Sequence, residues 1–94
     1  MAVSFDTRLI TPSHVLTRRL DDEIILLNLD NENYYGLDEV GSHMLEVLSS
    51  AQSIEAGVQQ LLGEYEVDQD QLRRDVTALL DKLAANGLVA FDPA

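Results

Sequence analysis

Glu23-Ile24-Ile25-Leu26-Leu27-Asn28-Leu29-Asp30-Asn31-Glu32-Asn33-Tyr34-Tyr35-Gly36-Leu37 is the stretch on which the reading of the fold turns. An apolar run, a polar turn and a short aromatic run describe two antiparallel strands, and Asp38 behind them suits a helix N-cap. Within Glu23–Leu29, apolar side chains fall on both parities, with Ile25, Leu27 and Leu29 on one face and Ile24 and Leu26 on the other. Such a run predicts a central strand covered on both sides. Asp30-Asn31-Glu32-Asn33 predicts a turn, and Tyr34–Leu37 a strand left at the sheet edge. An edge strand carries unpaired backbone donors and acceptors, so it can take another chain as an added strand with little demand on side-chain sequence.

On the N-terminal side, His14–Leu20 is rich in β-formers and leads into Asp21-Asp22, which fits a two-residue hairpin turn. Leu9–Pro12 suits a short strand or arm, and Pro12 confines it to an edge. On the C-terminal side, three helices are expected. Asp38 caps a segment with Val40, Met44, Val47 and Leu48 at helical spacing, ended by Ser49-Ser50-Ala51-Gln52. Ser53 caps a second, with stripe Ile54, Val58, Leu61, Leu62 and Tyr65, weakened by Gly57 and Gly63 at about 1 kcal/mol each relative to alanine.

The third helix has the clearest signals. Asp68 with Gln71 forms a capping-box pattern, Val67 can staple onto Leu72, and the stripe is Leu72, Val76, Leu79, Leu80 and Leu83. Gly87 after Asn86 supplies a left-handed C-terminal position over which Leu88 can close. A short terminal strand at Leu88–Phe91 would follow. The predicted class is α+β, a three-stranded antiparallel sheet followed by three helices. That order, with an amphipathic third helix beside a hairpin, is also the order of a winged helix-turn-helix.

The 94 residues suit a single domain, 1–94, with disorder expected at Met1–Thr7 and Phe91–Ala94. With no cysteine, disulfides, thiolate catalysis and thiolate metal sites are excluded. No basic segment precedes a long apolar one and no apolar run could span a bilayer, so a soluble cytoplasmic protein is expected. Six basic against 17 acidic residues give a net charge of −11. That field repels nucleic-acid phosphates and anionic lipid and favours neutral or basic partners.

Catalytic and metal motifs are missing. His14 and His43 lie 29 positions apart with no ligand spacing around them, and Ser42 and Ser53 have no nucleophile-elbow context. Asp21/Asp22 and Asp68/Asp70 sit where turn and helix-dipole chemistry already call for carboxylates. As a DNA-recognition helix, Asp68–Asn86 would offer an acidic first turn to phosphates. An acyl-carrier reading lacks the Asp-Ser-Leu tripeptide. No metal, cofactor or enzymatic activity is expected. Tyr34 and Gly36 admit two uses: ordinary alternation, with Tyr35 and Leu37 packed inward, or an aromatic wall and a close backbone approach beside the open edge.

The string Leu29-Asp30-x3-Tyr34-Tyr35-Gly36-Leu37-Asp38-x-Val40-Gly41, then Met44-Leu45-x-Val47-Leu48, Ser53-Ile54, Tyr65-x-Val67-Asp68 and Leu72-x3-Val76-x2-Leu79-Leu80-x2-Leu83-x3-Gly87-Leu88, resembles the PqqD-like family over about Val15–Val89. The resemblance implies a RiPP recognition element, a small winged helix-turn-helix that binds the leader of a ribosomally made precursor peptide without itself being a catalyst. In that family the leader adds a strand antiparallel to the third strand and packs on the third helix. Carried over, the receptive edge is Asn31, Glu32, Asn33, Tyr34, Tyr35 and Gly36, with groove walls from Tyr34, Leu72, Asp75, Val76, Leu79, Leu80 and Leu83.

Tyr34-Tyr35-Gly36-Leu37 looks most like the stand-alone proteins of lasso-peptide pathways. These work with a separate transglutaminase-like leader peptidase and a macrolactam cyclase, on leaders resembling one another in a Tyr-x-x-Pro element. Other readings are a recognition chaperone for another RiPP pathway, such as pyrroloquinoline quinone synthesis, or an acidic winged-helix scaffold or regulator. A monomer or a weak edge-strand dimer is expected.

Overall fold

The computed structural model describes residues 4–93. Its elements are β1 (Thr7–Ile10), β2 (Val15–Leu20), β3 (Glu23–Asn28), β4 (Tyr34–Leu37), α1 (Glu39–Ser50), α2 (Ile54–Glu64), α3 (Gln69–Ala85) and β5 (Ala90–Pro93). The fold is α+β, as expected, with the three-stranded antiparallel sheet β2-β3-β4 and a separate two-stranded ribbon of β1 and β5.

The β2–β3 hairpin pairs Leu20 with Glu23, so Asp21-Asp22 is its two-residue loop. Asp21 takes φ 56°, the left-handed conformation that such a turn requires and that aspartate tolerates. Between β3 and β4, the Asn28 side chain accepts the Asp30 amide at 2.9 Å and the Asn31 side chain accepts the Asn33 amide at 2.9 Å. Two successive Asx turns thus close the loop that sets β4 in register, with Ile24 opposite Leu37 and Leu27 opposite Tyr34.

Each helix starts at the cap its sequence announced. Asp38 accepts from the Gly41 amide, Ser53 from Ala56 and Asp68 from Gln71. α3 ends in a Schellman motif: Leu88 N–H donates to Leu83 O at 2.9 Å and Gly87 N–H to Ala84 O at 3.0 Å, with Gly87 at φ 70°.

The core lies between the inner face of the sheet and the helices. Ile24, Leu26 and Leu37 meet Leu48, Ile54, Val58, Leu61, Val76, Leu80, Leu83 and Leu88 there. Ser42 is fully buried and ties three elements together, its hydroxyl accepting the Ile24 amide at 2.8 Å and donating to Leu37 O at 3.2 Å. α1 and α2 cross closely at Gly57, where an added Cβ would lie 3.1 Å from Leu48 Cα.

Several expectations are corrected. β3 is buried on one face only, because the helices supply a single layer. Ile25 and Leu27 are half-buried, Leu29 lies outside the strand, and Leu16, Leu20, Leu29 and Tyr34 are exposed. Val40 belongs to the helical stripe of α1 by spacing but is 54% exposed. α1 also continues through Ser49 and Ser50 before it breaks. The strand expected at Leu9–Pro12 is centred earlier, and the one at Leu88–Phe91 later, because they pair with each other, Leu9 opposite Phe91 and Thr7 opposite Pro93. This pairing orders Thr7 and Phe91–Pro93, where disorder was expected. The rest of that expectation falls partly on residues 1–3 and 94, which lie outside the described residues.

Candidate functional site

The backbone of β4 defines the site. Asn28 N–H donates to Asn33 O at 2.8 Å, and the register continues from that pair through Leu26 opposite Tyr35 and Ile24 opposite Leu37. Antiparallel ladders alternate hydrogen-bonded and non-bonded pairs, so Tyr35 and Leu37 spend their amide groups on β3. The N–H and C=O of Tyr34 and of Gly36 therefore point the other way, along an edge with no neighbouring strand among the described residues. An added Cβ at Gly36 would meet nothing within 4 Å, so the outer sheet face beside this edge is uncovered.

α3 stands across from that edge. Tyr35 is half-buried on the inner face of β4, and the Lys82 ammonium lies 5.7 Å from the centre of its ring, joining strand and helix by a cation–π contact. Leu79, one turn earlier on α3, is half-buried and packs against the core. Toward the N-terminus of α3 the space opens into an apolar hollow of about 140 Å³, lined by Val40, Met44, Tyr65, Val67, Leu72 and Asp75. β4 passes directly into α1, which brings Val40 and Met44 to the hollow. The hollow thus lies where α1, the α2–α3 connection and α3 meet, beyond the C-terminal end of β4.

The walls of the hollow are themselves held in place. Tyr65 packs edge-on to His43, with ring centres 6.1 Å apart and planes at 71°. His43 Nε2 is 2.5 Å from Glu64 Oε1, and this contact holds the Glu64 carboxyl below the usual carboxylate range. Asp75 accepts from the Gln71 side chain at 2.9 Å, so Gln71 turns forward along α3 instead of completing a capping box with Asp68. On the far side of α3, Arg73 grips both oxygens of Glu55 at 2.6 and 2.7 Å and lies 5.1 Å from the centre of the Phe5 ring.

The residues singled out in the sequence divide into groups. Asn31, Glu32 and Asn33 form the turn, with Glu32 at φ 63° and the amides of Glu32 and Asn33 already bonded within it. Tyr34, Tyr35 and Gly36 lie on β4 beside the groove. Asp75, exposed, and Leu72, buried, line the hollow, and Leu79 is half-buried and packed against the core one turn further along α3. Val76, Leu80 and Leu83 have no exposed surface and form the floor beneath. Sequence reasoning left out Val40, Met44, Tyr65, Val67 and Lys82, the first three because their spacing places them in helical core stripes. The usable signal was that Val40 and Tyr65 stand at helix ends, where a stripe can turn away from the core. Among the described residues, no three His, Asp or Glu side chains come together as metal ligands. No described helix is long and apolar enough to cross a membrane.

Comparison with known proteins places this geometry. No curated protein matches the chain. The structure of TbiB1 in complex with the TbiA(beta) leader peptide is similar, with a TM-score of 0.77 and 34% identity over 84% of this chain and 92% of that one. Lasso peptide synthetase B1 complexed with the leader peptide shares the fold, with a TM-score of 0.78 and 24% identity over 88% of this chain and 98% of that one. Residues 23–89, from the start of β3 to the residue before β5, match the family model for coenzyme PQQ synthesis protein D. This chain belongs to the PqqD family.

Proposed function

We propose that this protein is a non-catalytic adaptor that binds the leader segment of a ribosomally made precursor peptide by strand addition to β4. It would present that leader to the separate leader peptidase and macrolactam cyclase of a lasso-peptide pathway. The observation that carries the reading is the open edge of β4, with the backbone groups of Tyr34 and Gly36 unpaired, beside an apolar hollow on α3. Main-chain pairing supplies affinity without fixing sequence, and a side chain lodged in the hollow supplies register. TbiB1, at 34% identity, was solved with a leader peptide bound, which supports the same use here.

Titration of the isotope-labelled protein with the TbiA(beta) leader peptide tests the reading. Saturable shifts confined to Tyr34–Leu37 and the Leu72–Lys82 face of α3 are expected. Shifts confined to β2, or none, would overturn it. The family description favours one further reading, recognition of a precursor for pyrroloquinoline quinone synthesis. Tighter binding of a precursor from that pathway than of lasso leaders would select it.

A further inference from the structure

The groove between β4 and α3 carries opposite charges at its two ends. At the end where β4 enters α1, the Asp75 carboxylate stands in the rim of an otherwise apolar hollow. Val40 and Tyr65 also line an adjoining hollow of about 370 Å³, where Asp22 and Glu39 add two more carboxylates. The arginine there, Arg19, is already engaged by Glu46. At the other end stands Lys82. Arg8, Arg19 and Arg73 are each matched to a carboxylate, Arg74 donates to Gln71 and Arg18 lies on β2 at the opposite edge of the sheet, whereas Lys82 lies over the Tyr35 ring of β4.

We infer that Asp75 and Lys82 are specificity determinants that make the groove select a peptide strand of one charge polarity. The favoured strand carries a lysine or arginine two positions from its apolar anchor, on the same face, and an aspartate or glutamate nearer its C-terminus, and it runs antiparallel to β4. The inference rests on the leader-binding reading above and extends it to the class of sequence accepted. A strand antiparallel to β4 starts at the Asp75 end and finishes at the Lys82 end, whereas a parallel one meets both charges reversed. Polarity therefore also fixes direction, which main-chain pairing at an edge leaves open.

The spacing follows from the two backbones. Asp75 and Lys82 are seven positions apart, roughly 10 Å along the helix axis at ~1.5 Å per residue. Same-face positions on a strand recur every second residue at ~3.3 Å per residue, so i,i+4 spans about 13 Å, within reach of the long lysine side chain. An acid at i+3 points to the opposite face and gains nothing.

Fluorescence anisotropy with labelled peptides of identical composition provides the test. One has lysine two positions from a tyrosine anchor and glutamate four positions after the lysine; the second exchanges the two charges; the third moves the glutamate to i+3. The wild-type chain is expected to bind the first about tenfold more tightly than the second at low salt, and the charge-exchanged variant Asp75→Lys/Lys82→Glu to reverse the order. Equal affinities, a third peptide as good as the first, or no binding of the first while the TbiA(beta) leader binds would each overturn the inference and leave strand addition standing. If the TbiA(beta) leader also fails to bind, the leader-binding reading itself falls.

Discussion

Asn28, the last residue of β3, donates through its side-chain amide to the carbonyl of Asn86 at the C-cap of α3, 3.1 Å away. Its carbonyl oxygen accepts the Asp30 amide of the β3–β4 turn, so one buried side chain sets the distance between the two walls of the groove. His14, the residue before β2, supports it, its Nε2 lying 3.0 Å from Gly87 O. Replacing Asn28 with alanine leaves these groups without their partner in a partly buried place and is expected to cost about 1 kcal/mol in urea unfolding. Leader affinity should fall as well, because the turn that positions Tyr34 loses its Asx bond.

Gly57 and Gly63 occupy the same helix, and substitution by alanine is expected to have opposite signs at the two sites. Helix propensity alone favours alanine by up to about 1 kcal/mol at either position. At Gly63 an added methyl meets nothing within 4 Å, so Gly63→Ala should raise the thermal midpoint. At Gly57 the methyl would lie 2.9 Å from Leu48 Cδ2 and 3.1 Å from Leu48 Cα, and the second of these is backbone that cannot swing aside. Gly57→Ala should therefore destabilise by about 1–3 kcal/mol, the usual cost of overpacking. A neutral result would mean that α1 and α2 can separate without loss.

These two glycines also mark how far the sequence could be read. Caps, turns and strand order were legible because each depends on local chemistry: Asp38, Ser53 and Asp68 announce helix starts, and Gly87 announces a stop. Gly57 looked like a weakness of α2 because its reason lies in another helix. The ambiguity of Ile25 and Leu27 has the same origin, since alternation within β3 records that both faces are apolar but not how many layers are available to cover them. At the site, the edge residues Tyr34 to Gly36 followed from strand order. The stripe of α3 could not separate floor from wall, because Val76 and Leu79 differ by less than one turn and only packing decides which is buried.

The Glu55–Arg73 pair gives stability a defined acid dependence. Hydrogen bonds from Arg73, and then from Gln59, hold the Glu55 carboxyl below its ordinary value of 4.5. A carboxyl depressed in the folded state contributes stability above its unfolded value, and the contribution is lost as pH falls from about 4.5 through the lowered folded value. The Glu55 side chain is 37% exposed, so screening keeps the effect below about 1 kcal/mol. Glu55→Gln should therefore be less stable than wild type at neutral pH, with the difference shrinking as pH falls below about 4.5, measured by urea unfolding across that range. A difference that persists in acid would assign the cost to packing instead of charge.

The β4 edge can be tested one amide at a time. The Gly36 N–H points away from β3, so proline at this position removes a donor that the fold does not use, and edge strands tolerate proline on that side. Tyr35 before it is already extended, as a residue preceding proline prefers. Gly36→Pro should keep the wild-type circular dichroism and lose about tenfold or more in affinity for the TbiA(beta) leader, since one main-chain bond disappears and the ring blocks the approach. Gly36→Ala retains the N–H and adds a methyl into open space, so its affinity should stay close to that of wild type. If proline and alanine weaken binding equally, the loss is steric and the leader does not pair with this edge. If neither does, while Leu79→Ser abolishes binding, the leader is held by the helix alone.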